Sequence, residues 1–495
     1  MSKLSLFVLA VILHCSLFVA AKDYKIVCYY GTWATYRHSN GKFNVENIDP
    51  NICTHYMYTF VGLSESSEIK LLDPYLDLAD DYGRDNIGKF IKLRELNKDL
   101  KLIIAIGGWN EGSTKYSKMA NDPQLRAKFV KSAVDFVLKY KFDGLDMDWE
   151  YPAQREGIES DKEAYTQLLK ELRTEFDKHG LLLSAAVASA EFSASMSYDI
   201  PQIQKYLDFI NVMTYDLHGP WENVIGLNAP MRALSTDDPE DPDELTVEAA
   251  ITYWLKSGAD PNKIVLGIPL YGHTFQLANP NNITIGSTAY GAGQGGPYTG
   301  QAGFMGYNEF CEIQMGHDKW TEYWHEEQLT PYAVKGSQWF GYDDLRSIAI
   351  KTQYAIDQRL GGAMVWSIET DDFLGLCHGE TYPLLKQINR VLRGEHVTFP
   401  PHTTSTTTAD PSFTNPTSSP SPPTPSTTEG TPSLQCTAEG FYPNPIDCTT
   451  FYECIPLGEG HFKIHKHYCP PGLHYDVANK ICNWPDIAGC EIEGQ

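Results

Sequence analysis

An α/β fold built as a parallel (β/α)8 TIM barrel is predicted by three observations. Eight short apolar segments of strand character recur between residues 25 and 366. Helix-period patterns fill the intervals, the alternation that parallel strands with crossover helices require. No Gly-rich phosphate fingerprint follows the first strand, which disfavours the alternative of a doubly wound open sheet.

The strand candidates are Lys25–Tyr30, His55–Phe60, Leu102–Ile106, Gly144–Asp148, Leu182–Val187, Phe209–Met213, Ile264–Pro269 and Ala363–Trp366. Two helices show the pattern between them. Pro123–Tyr140 places Leu125, Phe129, Ala133 and Phe136 on one stripe, and Lys162–Lys178 does the same with Tyr165, Leu168, Leu169, Leu172 and Phe176. The interval before the last strand is long. Residues 271–340, rich in Gly, Tyr and Trp, are expected to form an inserted subdomain.

Both ends depart from this pattern. Lys3, the apolar run Leu4–Ala20 and the small residues Ala20 and Ala21 read as a secretory signal peptide over 1–21. Export follows as the expected localisation. Removal of the peptide takes Cys15 with it, so the 11 cysteines become an even set, as an exported disulfide-bonded chain requires. The barrel is expected over 22–395. A linker dominated by Ser, Thr and Pro is expected over 396–433, either an O-glycosylated stalk or a bare spacer. A cysteine-dense module fills 434–495. The sequon Asn282-Ile283-Thr284 is a candidate glycosylation site.

Charge narrows the partner. The 39 Lys and Arg face 63 Asp and Glu, a net charge of -24. That balance disfavours nucleic acid and anionic membrane surfaces, which need a basic footprint. A neutral substrate fits, and a monomer is expected.

The most informative stretch is Asp143-Gly144-Leu145-Asp146-Met147-Asp148-Trp149-Glu150-Tyr151-Pro152. Strand side chains alternate faces, so Asp146, Asp148 and Glu150 share one face and Leu145, Met147 and Trp149 the other. In a barrel the apolar set meets the helices and the acids face the lumen. Glu150 is expected at the C-terminal end of its strand, where barrel active sites lie. Crowded, buried carboxylates raise one another's pKa and can leave one as a proton donor near neutrality, which is what the general acid of glycosidic cleavage must be. No clustered histidines accompany these acids, so neither a metal nor another cofactor is expected.

The pattern Asp143-x-x-Asp146-x-Asp148-x-Glu150 resembles the signature of family-18 glycoside hydrolases, the chitinases and chitinase-like lectins. Matching segments are Cys28-Tyr29-Tyr30, Ala105-Ile106-Gly107-Gly108-Trp109, Met213-Thr214-Tyr215-Asp216, Gly219-Pro220-Trp221-Glu222 and Gly362-Ala363-Met364-Val365-Trp366. The resemblance implies a barrel with an inserted α+β subdomain and substrate-assisted, retaining hydrolysis of chitin. Glu150 would protonate the glycosidic oxygen while the substrate's N-acetyl oxygen attacks the anomeric carbon. Asp148 would orient the acetamido group, and Asp146 would share a proton or hydrogen bond with Asp148. Tyr215 would donate to the acetamido oxygen and Asp216 would assist binding.

The resemblance also implies that Trp366 floors the cleavage subsite, with Trp33, Trp109 and Trp221 carrying neighbouring sugars. Tyr29, Gly108, Tyr151, Met213, Tyr271 and Met364 would line the cleft. Trp149, on the opposite face, is read as core. Two departures stand out: His273 replaces an Arg frequent in the family, which puts a substrate hydrogen bond in doubt, and Ser367-Ile368-Glu369-Thr370-Asp371-Asp372 differs from the commoner form. Implied disulfides are Cys28 with Cys53 and Cys311 with Cys377.

The C-terminal module holds Cys436, Cys448, Cys454, Cys469, Cys482 and Cys490. So short a segment needs covalent staples. Its spacing resembles a peritrophin-A-type chitin-binding domain, which implies Cys436–Cys454, Cys448–Cys490 and Cys469–Cys482. Phe451, Tyr452, Tyr475 and Trp484 are candidates for stacking on chitin, and some of them must form the small core. Taken together, the expectation is a secreted endo-acting chitinase, its partners being chitin and chitin oligomers. The rival readings are a chitin-binding lectin with a weak or dead barrel, against which Glu150 speaks, and an endo-N-acetylglucosaminidase, against which the chitin-binding module speaks.

Overall fold

The computed structural model describes residues 22–235, 237, 244–395, 440–444, 447–458, 461–468, 474–477 and 481–483. The expected signal peptide over 1–21 and linker over 396–433 lie outside the described residues, as do Cys436, Cys469, Trp484 and Cys490. Two compact units divide the chain, 1–407 and 408–495.

The first unit is a closed parallel barrel with strands Lys25–Gly31, His55–Leu63, Lys101–Gly107, Gly144–Asp148, Leu182–Ala188, Phe209–Met213, Ile264–Pro269 and Gly362–Trp366. The first strand pairs with both the second and the last, so no barrel edge is left open. All eight predicted strands are present, most extended by a residue or more at one end. Burial on both faces explains their uninterrupted apolar character.

The helix over Pro123–Tyr140 forms as predicted. Asp122 caps it by accepting from the amides of Gln124 and Leu125, and Pro123 occupies its first turn, where no amide is needed. The next predicted helix runs over Asp161–Phe176 and tightens into a 3-10 turn over Asp177–His179.

The insertion is α+β. Strand Tyr271–Leu277 anchors an antiparallel sheet completed by Ala289–Ala292, Phe304–Gly306, Thr321–His325, Thr330–Lys335 and Gln338–Gly341, with helix Tyr307–Met315 beside it. It has its own small core of Ile225, Leu227, Phe275, Leu277, Ala289 and Trp339. Disulfides join Cys28 to Cys53 and Cys311 to Cys377, with sequence separations of 25 and 66. Each restricts the unfolded chain by roughly 3–4 kcal/mol in the loop-entropy model. Asn282 is exposed on the insertion.

In the second unit, strands Gly440–Pro443, Thr450–Gly458 and His461–Tyr468 form one antiparallel sheet, and His474–Asp476 pairs with Ile481–Asn483. Cys448 and Cys454 each take part in a disulfide. Tyr475 stacks on Phe451 with ring centroids 4.3 Å apart and is 1% exposed. It is therefore a core ring, which corrects its candidacy as a chitin contact. Burial against Phe451 satisfies its apolar face internally. Phe441, not singled out in the sequence, is 41% exposed.

Candidate active site

The third barrel strand must end close to the acidic strand, and two glycines permit it. Gly107 pairs with Asp148 at φ 119°, and a Cβ there would fall 2.0 Å from the Asp148 carbonyl oxygen. Gly108, at φ 84°, donates its amide to that carbonyl at 2.8 Å, and its own Cβ would meet the Phe60 ring at 2.8 Å. Side chains at these positions would push the neighbouring backbone or ring away.

Asp146 points into the lumen and is fully buried. Its oxygens accept from Tyr29 Oη at 2.7 Å on the first strand, from Ser184 Oγ at 2.6 Å on the fifth and from Asn211 Nδ2 at 3.4 Å on the sixth. Burial raises its pKa to about 6, against the pull of those three donors.

Asp148 is 3% exposed, and its Oδ1 is buried without a hydrogen-bond partner. Burial first, then the charges of Glu150 and Asp146, push its carboxyl well above the usual range. The strand stops at Asp148, so Glu150 lies just beyond it and not on its last residue. Glu150 is half-buried. Burial, then the Asp216 charge, raise it to about 7, while Tyr151 and Arg155 pull the other way. A carboxyl in this state keeps its proton close to neutral pH.

The outward face is locked. Trp149 is 1% exposed, packs between Tyr116 and Tyr165, and donates its indole N–H to Ser113 Oγ at 3.0 Å. Ser113 in turn donates to the Tyr151 carbonyl at 2.9 Å, fixing the chain on the far side of Glu150. Trp149 is thus core, as read.

The aromatic residues gather over this strand end. Trp366 lies 5.5 Å from Tyr29 and 6.1 Å from Trp33, and stacks on Phe60 at 5.8 Å. Trp33, Trp109 and Trp221 are 42%, 58% and 60% exposed, open faces of the kind that stack on sugar rings. Tyr29 and Met364 are instead buried beneath the surface. Tyr29 acts on Asp146, and Met364 takes the Tyr215 hydroxyl on its sulfur at 3.7 Å. Met213 and Tyr215 are buried at the rim, and Tyr151 is half-buried.

Asp216, at φ 54°, has its amide held by Asn228 Oδ1 at 2.8 Å. Its Oδ1 accepts from Tyr271 Oη at 2.5 Å and faces His273 Nε2 at 2.8 Å. His273 Nδ1 lies 2.9 Å from the Gly303 carbonyl. Both ring nitrogens therefore meet protein acceptors, and the residue at this position braces Asp216.

Phe60, Asn211, Ser184, Asn228 and Arg155 were not singled out in the sequence. Arg155 lies 3.5 Å from the centroid of the Trp109 ring and donates to the Trp109 and Glu150 carbonyls at 2.7 and 3.0 Å. Among the described residues, the grouping of His, Cys, Asp and Glu close enough to hold an ion is Cys311, Asp372 and Cys377, and its sulfurs are already bonded to each other.

Residues 25–371 match the model of glycosyl hydrolases family 18, and residues 436–490 match the chitin binding Peritrophin-A domain. The chain is 42% identical over 395 residues to a probable chitinase 2 of Drosophila melanogaster, covering 74% of this chain and 80% of that protein. It is 40% identical over 409 residues to an endochitinase of Manduca sexta, covering 81% and 72%. The crystal structure of the Ostrinia furnacalis Group IV chitinase superposes with a TM-score of 0.73 at 46% identity, covering 75% of this chain and 100% of that one. Barrel, acidic strand and these matches agree: the chain belongs to glycosyl hydrolases family 18 and is a glycoside hydrolase.

Proposed function

We propose that the protein is a secreted, endo-acting chitinase that cleaves β-1,4 linkages between N-acetylglucosamine units by substrate-assisted retaining catalysis. The observation that carries the reading is Glu150, half-buried and raised to about 7, above a lumen of further acids. Glu150 gives its proton to the glycosidic oxygen as the bond breaks. The substrate's acetamido oxygen attacks the anomeric carbon from the opposite face and forms an oxazolinium ion. Water, deprotonated by Glu150, then opens that ion and restores the starting configuration. An internal nucleophile gains effective molarity and needs no enzyme carboxylate to attack.

Asp148 supplies the unpartnered buried oxygen that a substrate amide N–H would satisfy, and its negative charge offsets the oxazolinium. Tyr215 turns its hydroxyl from the Met364 sulfur to the acetamido oxygen. Asp216, braced by Tyr271 and His273, assists substrate binding. Trp366 floors the cleavage site, and the exposed Trp33, Trp109 and Trp221 suit an internal cut in a long chain. The names of the curated relatives support the substrate.

Product analysis on N-acetylglucosamine oligomers tests the reading. The β-anomer is expected as the first-formed product, with cuts inside longer oligomers. Initial α-anomer would overturn the retaining mechanism, and release of end units alone would overturn endo action. The C-terminal module is proposed to hold the barrel on solid chitin through raised effective concentration. Truncation after Arg393 should weaken retention on chitin beads while sparing cleavage of soluble oligomers. Equal retention with and without the module would exclude the tether.

A further inference from the structure

Glu369 is a carboxylate that the chemistry above does not use. It sits in the short 3-10 turn Ile368–Thr370 directly after the Trp366 strand, and it is 0% exposed. Burying a charge without compensation is costly, so its partners matter. Its Oε1 accepts from Ser367 Oγ at 2.6 Å, and its Oε2 accepts from the Gly31 amide at 3.1 Å. The Arg37 guanidinium lies 4.0 Å from Oε1.

These partners share a location. Gly31 is the residue before the 3-10 turn Thr32–Tyr36, and Arg37 is the residue after it. Trp33 rides on that turn. Ser367 follows Trp366 directly. One buried carboxylate therefore grips both ends of the turn that carries Trp33 and the residue next to Trp366. The two indoles stand 6.1 Å apart.

The fit leaves no slack. A Cβ at position 31 would lie 2.2 Å from Glu369 Oε1 and 3.0 Å from Trp33 Cζ2. The φ of Gly31 is -74°, a value any residue adopts. Space and not backbone conformation is thus what demands glycine there. Position 31 lacks a side chain because the Glu369 carboxylate fills that space.

We infer that Glu369 is a positioning residue that, matched to Gly31, fixes Trp33 relative to Trp366 and so sets how strongly the cleft holds sugar units beyond the one on Trp366. The inference rests on the reading of this cleft as a chitin site. Glu369 touches no substrate. Its effect passes through the Trp33 turn, so it should depend on ligand length, which a general loss of fold would not produce.

The test uses the full chain carrying Glu150→Gln, so that binding is read without turnover, and follows tryptophan fluorescence on titration with a dimer and a hexamer of N-acetylglucosamine. Glu369→Asp withdraws the carboxylate by one methylene. Glu369→Gln keeps the volume and one acceptor but removes the charge facing Arg37. Gly31→Ala presses on the same contact from the other side. Loss of a buried, charge-assisted hydrogen bond predicts roughly tenfold weaker hexamer binding for Glu369→Asp and Gly31→Ala. Glu369→Gln should give a smaller loss, and dimer binding should change by less than about twofold in all three. Equal weakening of both ligands, or no weakening of the hexamer, would overturn the inference. If the Glu150→Gln parent binds neither oligomer, the chitin reading itself falls.

Discussion

Replacing Glu150 with Gln is expected to lower turnover of chitin oligomers by roughly 10²–10⁴-fold, the usual contribution of a positioned general acid, while oligomer binding stays close to wild type. Gln preserves the shape of the side chain but has no acidic proton to give. Binding is carried by the aromatic floor and by Asp148, Tyr215 and Asp216, which the substitution leaves in place. The wild-type pH profile carries the same signature. The acid must be protonated to act, so activity should fall as pH rises through about 7, the value to which burial and Asp216 lift it. Steady-state rates and binding titrations on the same oligomers check both statements. A variant with near-wild-type turnover would remove Glu150 from the role of acid. A variant that had lost binding as well would place Glu150 among the groups that hold the ground state. Full binding with lost turnover also separates the enzyme from the lectin reading.

The barrel was legible because its strands are buried on both faces and read as apolar runs, while helices such as Pro123–Tyr140 bury one stripe and show the helical period. The acids were legible for a related reason. Three carboxylates at alternate positions of an apolar strand conflict with burial unless they do chemistry, and such a conflict is visible without a structure. What surrounds them was not. Asp146 is satisfied by Tyr29, Ser184 and Asn211, which come from three other strands and meet it only through barrel register. Sequence distance hides such partners. Phe60 closes the aromatic stack under Trp366, yet in the sequence it is one apolar strand residue among many. Arg155 lies over Trp109 from a loop with no periodicity to read. In the small C-terminal unit, the aromatics that form the core and those left for a ligand share one composition, and only burial separates Tyr475 from the rest.

Replacing Asp148 with Asn should be nearly as damaging as losing the acid, and for a different physical reason. Asn keeps the shape and removes the charge. In the proposed chemistry, positive charge develops on the acetamido group as the glycosidic bond breaks, next to a carboxyl that is 3% exposed. A preorganised charge in so dry a place acts at full strength, because no water must rearrange during the step. Removal of one such contact costs roughly 10²–10³-fold in kcat. In the free protein, burial and the charges of Glu150 and Asp146 push Asp148 toward its protonated form. Arrival of the developing cation favours ionisation, so the charge appears when the reaction needs it. KM should change little, since Asn keeps an oxygen to accept the substrate amide while the charge it lacks matters mainly as the bond breaks. After burial it is the Asp216 charge that lifts Glu150 to about 7, and a protonated Asp148 does not repel it, so the alkaline limb of the pH profile should stay in place. kcat and its pH dependence on soluble oligomers measure both effects. Unchanged kcat would exclude Asp148 from charge stabilisation. A limb moved to lower pH would show instead that Asp148 already carries its charge in the free protein and repels Glu150.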